Sequence, residues 1–247
     1  MINIYLKNQQ NFFQETIDFY KSFANLVSEN EADIIVINDF TPIVSNKIIA
    51  CNSTGIEHIK AKEIISLQGE NLFDLTAVPE LCLAMSIYLT RIFKHEEIRE
   101  KTLGLIGYGR IGKQFATYAR NLGMWIRTYD ENKNPFPNLD SLLKDSDIIS
   151  LHITASEENR NWFTKEMFEQ MKDDSIFLNS SRPWLVEEEG LKWALDNKLN
   201  SAWFDFEMPF DHPKLFTTPH LGGTTKESKQ KSEMIIAKKI KREYENT

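Results

Sequence analysis

Arg182, Glu207 and His220 are the side chains of this sequence best suited to acid–base work on a small anion. Arg182 stands in Asn179-Ser180-Ser181-Arg182-Pro183, just after an apolar run. A guanidinium at a strand end can fork onto a carboxylate through two parallel hydrogen bonds. His220 stands in Thr217-Thr218-Pro219-His220-Leu221-Gly222-Gly223. Its imidazole titrates near neutrality and can deliver or remove a proton. Glu207 follows Asp205 by two positions; a carboxylate touching His220 would favour the imidazolium and raise its pKa. Asp211 is the fallback for that partner. Each of the three, taken alone, also fits an ordinary surface or loop residue.

A second constellation lies upstream. Residues 102–130 read as an apolar strand, the turn Gly107-Tyr108-Gly109-Arg110-Ile111-Gly112, a helix, and a strand ending at Asp130. That order suits a dinucleotide's pyrophosphate. Gly107 makes the tight turn, Gly109 lets bare backbone approach phosphate oxygens, and Gly112 lets helix and strand pack closely. The helix N-terminus adds unpaired N–H groups and partial positive charge. Asp130 is placed to take the adenosine ribose hydroxyls and would repel a 2′-phosphate, which points to NAD rather than NADP. The helix shows one face of Ile111, Phe115, Ala119 and Leu122. A methyltransferase uses a similar turn and acid and stays as a rival reading.

These residues need strands to hold them. After a helix near 78–93 come six apolar runs separated by helix-like segments: 103–106, 125–129, 148–152, 175–179, 201–206 and 215–218. Strands alternating with helices imply a parallel, doubly wound sheet, whose ligands sit at the carboxyl ends of its strands. The first third alternates short strands with helical stretches, leaving 38–46 as a loop. The expected fold is α/β, a Rossmann doubly wound parallel sheet with a second, smaller flavodoxin-like α/β domain. Residues 1–76 plus 224–247 would form the substrate domain and 77–223 the NAD-binding domain. The last stretch reads as a helix that returns to the first domain, with Met234, Ile235 and Ile240 on its dry side. Lysines and glutamates, Glu233 among them, would make up its wet side.

Composition sets the limits. With 41% hydrophobic and 26% charged residues and a net charge of −7, the chain is an ordinary globular sequence and a poor nucleic-acid surface. Cys51 and Cys82 are isolated thiols, expected buried and reduced, and no metal site is expected. No apolar run approaches membrane-spanning length and the N-terminus reads as a strand, so a cytoplasmic protein without membrane partners is expected.

Taken together, in the order Arg, Glu, His after a dinucleotide turn, these residues match a family. The chain resembles the D-isomer-specific 2-hydroxyacid dehydrogenases over nearly its whole length. The matching segments are Asn52-Ser53-Thr54-Gly55, 102–112 with Asp130, 146–152, 171–182, 201–205 and Thr218-Pro219-His220. The resemblance implies an NAD-dependent oxidoreductase that reduces a small 2-oxo acid to a D-2-hydroxy acid or runs in reverse. Arg182 would hold the substrate's carboxylate and carbonyl, His220 would protonate the carbonyl oxygen, and Glu207 would orient His220. Backbone amides near Thr54 and Gly55 would clasp the carboxylate. The cofactor would meet Gly107, Gly109, Arg110, Ile111, Gly112, Asp130, His152, Ser181, Asp205 and Gly222, with Asp205 at the nicotinamide carboxamide.

The sequence also departs from the family pattern. The glutamate follows Asp205 too soon, Pro183 and Trp184 stand where a glycine commonly follows the arginine, and Thr154 replaces a proline. The segment between Arg91 and Lys101, which carries a dimerisation arm in the family, is very short and leaves a homodimer by that route open. An NAD-binding sensor or corepressor-like protein with little or no catalysis is the alternative that this trimming suggests.

Overall fold

The structure, a computed structural model, describes residues 1–131 and 138–244. The chain divides into two compact units, one of residues 1–75 with 225–247 and the other of residues 76–224.

The first unit carries β1 (Ile2–Leu6), α1 (Gln14–Lys21), β2 (Ala24–Leu26), β3 (Ile34–Ile37), β4 (Ile43–Val44), β5 (Ile48–Cys51), β6 (Ile59–Lys60) and β7 (Glu63–Ile65). Five of these strands form one parallel sheet in the order β2-β1-β3-β5-β7, the flavodoxin-like order. β3 reads Ile-Ile-Val-Ile and is buried throughout, as a strand covered on both faces must be. The segment 38–46, expected as a loop, contains β4, which makes a two-residue parallel ladder with β6.

The C-terminal helix Lys226–Tyr244 packs on α1, and its Ile236, Ala237 and Ile240 join Ile4, Tyr20 and Ile34 in one core. Glu233 corrects the expected wet face, because it is only 1% exposed. Its carboxylate accepts the Phe13 N–H and the Asn38 side-chain amide, each at 3.1 Å. Phe13 is the N-cap of α1, where backbone N–H groups lack helical partners and an acidic group is favoured. Burial is the largest influence on Glu233 and holds its carboxyl above the usual range.

The second unit opens with α2 (Ala77–Leu89), which runs on as a π-helical stretch, Thr90–Lys94, and stops at His95 in the left-handed region. Pro79 lies in the first turn of α2, where its missing N–H costs no helical bond. There follow β8 (Thr102–Ile106), α3 (Arg110–Asn121), β9 (Trp125–Tyr129), α4 (Leu139–Asp145), β10 (Ile148–Leu151), α5 (Lys165–Gln170), β11 (Ser175–Asn179), α6 (Glu188–Asn197), β12 (Leu199–Phe204) and β13 (Leu215–Thr217). These strands make one parallel sheet in the order β13-β12-β11-β10-β8-β9.

The chain steps from β8 outward to β9, then crosses back to β10 on the other side of β8. The carboxyl ends of β8 and β10 therefore mark the switch point where such sheets bind ligands. β10 and β11 are buried along their whole length, with apolar layers on both sides. The rings of Phe163, Phe168, Phe177 and Phe204 stack through one layer at centroid distances of 4.6 to 6.0 Å. On α3 the expected face holds for Phe115 and Ala119, both fully buried, but Leu122 is 41% exposed. The helix ends at Asn121, which leaves Leu122 outside the buried stripe.

Candidate active site

The glycine turn leaves β8 with Gly107 at φ 93°, a region that residues with a Cβ rarely occupy. A Cβ there would lie 2.6 Å from the backbone of His152. This places the ends of β8 and β10 in direct contact. A Cβ on Gly112 would collide with the Gly107 carbonyl oxygen, whereas one on Gly109 would meet nothing within 4 Å. The space over Gly109 is thus open to a ligand, next to the N-terminus of α3 at Arg110 and Ile111. Asp130, one residue beyond β9, accepts the Tyr108 N–H at 2.9 Å. The acid and the turn are locked together. Burial lowers the pKa of Arg110 at the first helical position. Open backbone, helix N-terminus and paired acid all fit a dinucleotide.

His152 follows β10 and turns inward. Its Nε2 lies 2.9 Å from Ser150 Oγ and its Nδ1 3.3 Å from Ser180 Oγ, with Phe115 edge-on at 6.0 Å. Burial pushes its pKa down to about 4, so the ring is neutral near pH 7 and positions hydroxyls rather than carrying charge. Behind it, Cys82 of α2 is fully buried, and burial drives its thiol up to about 12 despite the Ser180 contact. Both cysteines are buried and unpaired with each other.

Arg182 sits in a turn built by Asn179, the last residue of β11. Asn179 is fully buried; its Oδ1 accepts the Ser181 N–H at 2.8 Å and its Nδ2 donates to the Arg182 carbonyl at 2.8 Å. Arg182 Nη1 donates to the Ser181 carbonyl at 2.9 Å, and Ser181 Oγ donates to the Leu151 carbonyl at 3.3 Å. Pro183 begins a short 3₁₀ turn. The Trp184 ring lies 5.0 Å from the Arg160 guanidinium.

His220 occupies the left-handed region at φ 55°, a conformation that costs a non-glycine residue on the order of 1 kcal/mol. The loop is held there by Asp205, which is 1% exposed at the end of β12. Asp205 Oδ1 accepts Thr218 Oγ1 at 2.6 Å and the Leu221 N–H at 2.7 Å, while Oδ2 accepts the Gly222 N–H at 2.7 Å. Trp203 Nε1 donates to the same Thr218 hydroxyl at 3.1 Å. A buried carboxylate needs such donors, and these three satisfy it. Asp205 therefore serves first as the clamp of the histidine loop, and Gly222 is part of that clamp.

Phe206, next along the chain, stands against both chemical groups. Its ring centroid is 4.4 Å from that of His220 with a 38° tilt, and the Arg182 guanidinium lies 5.2 Å from the same ring. Glu207 is exposed and, among the described residues, makes no hydrogen bond or ion pair; no such link ties it or Asp211 to His220. Asp211 instead lines a pocket of about 360 Å³ with Phe210, His212, Pro213, Leu215 and Thr217.

In the first unit, the Thr54 carbonyl accepts Gln68 Nε2 at 2.9 Å and the Gly55 carbonyl accepts Ser53 Oγ at 2.7 Å. Among the described residues the N–H groups of Thr54 and Gly55 donate to no protein acceptor.

Asn179, Ser150, Ser180 and Phe206 carry parts of this arrangement that the sequence reading passed over. Asn179 had a signal, a lone amide closing an apolar strand. Phe206 had none beyond adjacency to Asp205, since a phenylalanine ordinarily reads as core.

Known proteins share this architecture. The model of the D-isomer specific 2-hydroxyacid dehydrogenase NAD binding domain matches residues 88–222. The hydroxypyruvate reductase of Thermotoga maritima is 29% identical, the alignment covering 86% of this chain and 85% of that protein. The D-3-phosphoglycerate dehydrogenase of Escherichia coli is 35% identical over 58% of this chain, but the match spans only 40% of that longer protein. The fold of the Entamoeba histolytica 3-phosphoglycerate dehydrogenase superposes with a TM-score of 0.81 at 19% identity, over 99% of this chain and 96% of that one. No helix among the described residues is long and apolar enough to cross a membrane. The matched segment exceeds half the chain and contains the glycine turn, Asp130, Arg182 and His220 together; the chain belongs to the D-isomer specific 2-hydroxyacid dehydrogenase family, with NAD as its cofactor.

Proposed function

We propose that the protein reduces a small 2-oxo acid to the D-2-hydroxy acid, or catalyses the reverse oxidation. One observation carries the reading: Arg182 and His220, far apart in the chain, meet the same Phe206 ring at the carboxyl ends of β11 and β12. The open backbone at Gly109, the N-terminus of α3 and Asp130 would hold NAD, which would supply the hydride chemistry at the carbonyl carbon. Arg182 forks onto the substrate's carboxylate. His220 donates a proton to the carbonyl oxygen in reduction and recovers it in oxidation, so one hydride and one proton convert the ketone to the alcohol. Asp205 fixes the loop from which His220 acts, and His152 and Ser181 brace the carboxyl ends of β10 and β11.

Residues 77–223 serve as the NAD-binding domain and residues 1–76 with 224–247 as the substrate domain. Within the first unit, the N–H groups near Thr54 and Gly55 are the proposed carboxylate-binding element. Glu207, the expected orienting carboxylate, has no supporting contact and is left without a role. A cytoplasmic homodimer belongs to the same proposal and is read by light scattering and cell fractionation. The test of the function is NADH oxidation with glyoxylate, hydroxypyruvate, pyruvate and bulkier 2-oxo acids, followed by chiral analysis of the pyruvate product. Turnover giving the D-isomer supports the reading; the L-isomer or no turnover overturns it.

A further inference from the structure

We propose that Phe206 is a positioning residue for the reaction just assigned, its ring seating the Arg182 guanidinium and the His220 imidazole in one arrangement. This inference rests on that functional reading. Three observations lead to it. The ring is half-buried directly after Asp205, whose carboxylate is fixed by three hydrogen bonds, so its backbone anchor is rigid. The guanidinium lies 5.2 Å from the ring centroid, inside the roughly 6 Å range in which a cation is drawn to an aromatic face. The imidazole, at 4.4 Å and 38°, stacks closely enough for an imidazolium to gain from the same ring.

The chemistry follows from the quadrupole. A guanidinium and an imidazolium repel each other, and a carboxylate between them would pair with both and compete with an anionic substrate. A neutral π face attracts both cations without accepting their N–H groups in a strong hydrogen bond. Leucine fills similar space without a quadrupole, while tyrosine keeps the π face, so the two substitutions separate packing from electrostatics.

The experiment compares the wild-type protein with Phe206→Leu, Phe206→Met and Phe206→Tyr, using the 2-oxo acid that wild type turns over fastest. The leucine variant should lose roughly tenfold in kcat/KM for the oxo acid, the effect of two weakened cation–π contacts. Its KM for NADH should be unchanged, and Phe206→Tyr should restore most of the loss. Phe206→Met replaces the leucine variant if that one does not fold. The His220 imidazole resonance, assigned with His220→Gln, should move downfield in Phe206→Leu as ring-current shielding disappears. An unmoved resonance, unchanged oxo-acid kinetics, or a tyrosine variant no better than leucine overturns the inference while leaving the dehydrogenase reading intact. Wild-type inactivity across the whole panel sinks that reading, and this inference with it.

Discussion

Asp205 accepts the Gly222 N–H at 2.7 Å, and a Cβ on Gly222 would stand 2.8 Å from the same carboxylate oxygen. The contact leaves room for glycine and acid but not for a larger residue. It joins the end of β12 to the loop that carries His220, two residues away. Gly222→Ala should therefore lower kcat by tenfold or more, because the methyl must push Asp205 or the loop aside. Asp205→Asn should do the same for another reason: an amide nitrogen would face an N–H donor and leave it unsatisfied, at a cost of about 1–3 kcal/mol. Steady-state kinetics and thermal unfolding check both; full activity in either variant would show that the clamp does not position His220.

Asp130 does two things: it accepts the Tyr108 N–H and it presents an acid beside the glycine turn. Replacing Asp130 by Ala should weaken NAD binding about tenfold, as expected for the loss of a charge-assisted hydrogen bond. Rejection of NADP should relax, because the charge that repels a 2′-phosphate is gone. Titration of both cofactors by fluorescence reads the result, and a parent protein that already prefers NADP would contradict the ribose assignment.

His152 makes stability depend on pH. Its folded pKa is about 4, below the ordinary value near 6.5. Between these values the unfolded chain holds a proton that the folded one refuses, so stability falls as pH drops through that window. The loss totals roughly 3 kcal/mol at most. Denaturant unfolding at pH 7 and pH 4.5 should show wild type losing more than His152→Gln does. Glu233 titrates in the opposite sense, since its raised pKa removes stability as pH rises through the folded value. The comparison with the variant isolates the histidine. Equal pH slopes in the two proteins would mean that His152 is not held neutral.

Much of this was legible in the sequence, for identifiable reasons. The apolar runs at 103–106, 148–152 and 175–179 became β8, β10 and β11 because strands buried on both faces cannot alternate with polar residues. The turn at Gly107 was legible because φ 93° demands glycine. Glu233 was misread because helical periodicity reports which face is apolar, not which acid a neighbouring helix terminus will draw inward. Leu122 was misread because the helix ended one residue earlier than its pattern. The partners of Asp205 and Phe206 were hidden for a different reason. Thr218, Leu221 and His220 meet them only after β12 and β13 have paired, and no local spacing encodes that pairing.

His220 carries the central claim, and one comparison tests it: NADH oxidation across the 2-oxo acid panel by the wild-type protein and by His220→Gln, with NADH affinity measured on both. The account predicts that the variant binds NADH like wild type while losing roughly 10²–10⁴-fold in turnover, the worth of a positioned proton donor. Equal turnover by the two proteins would contradict it.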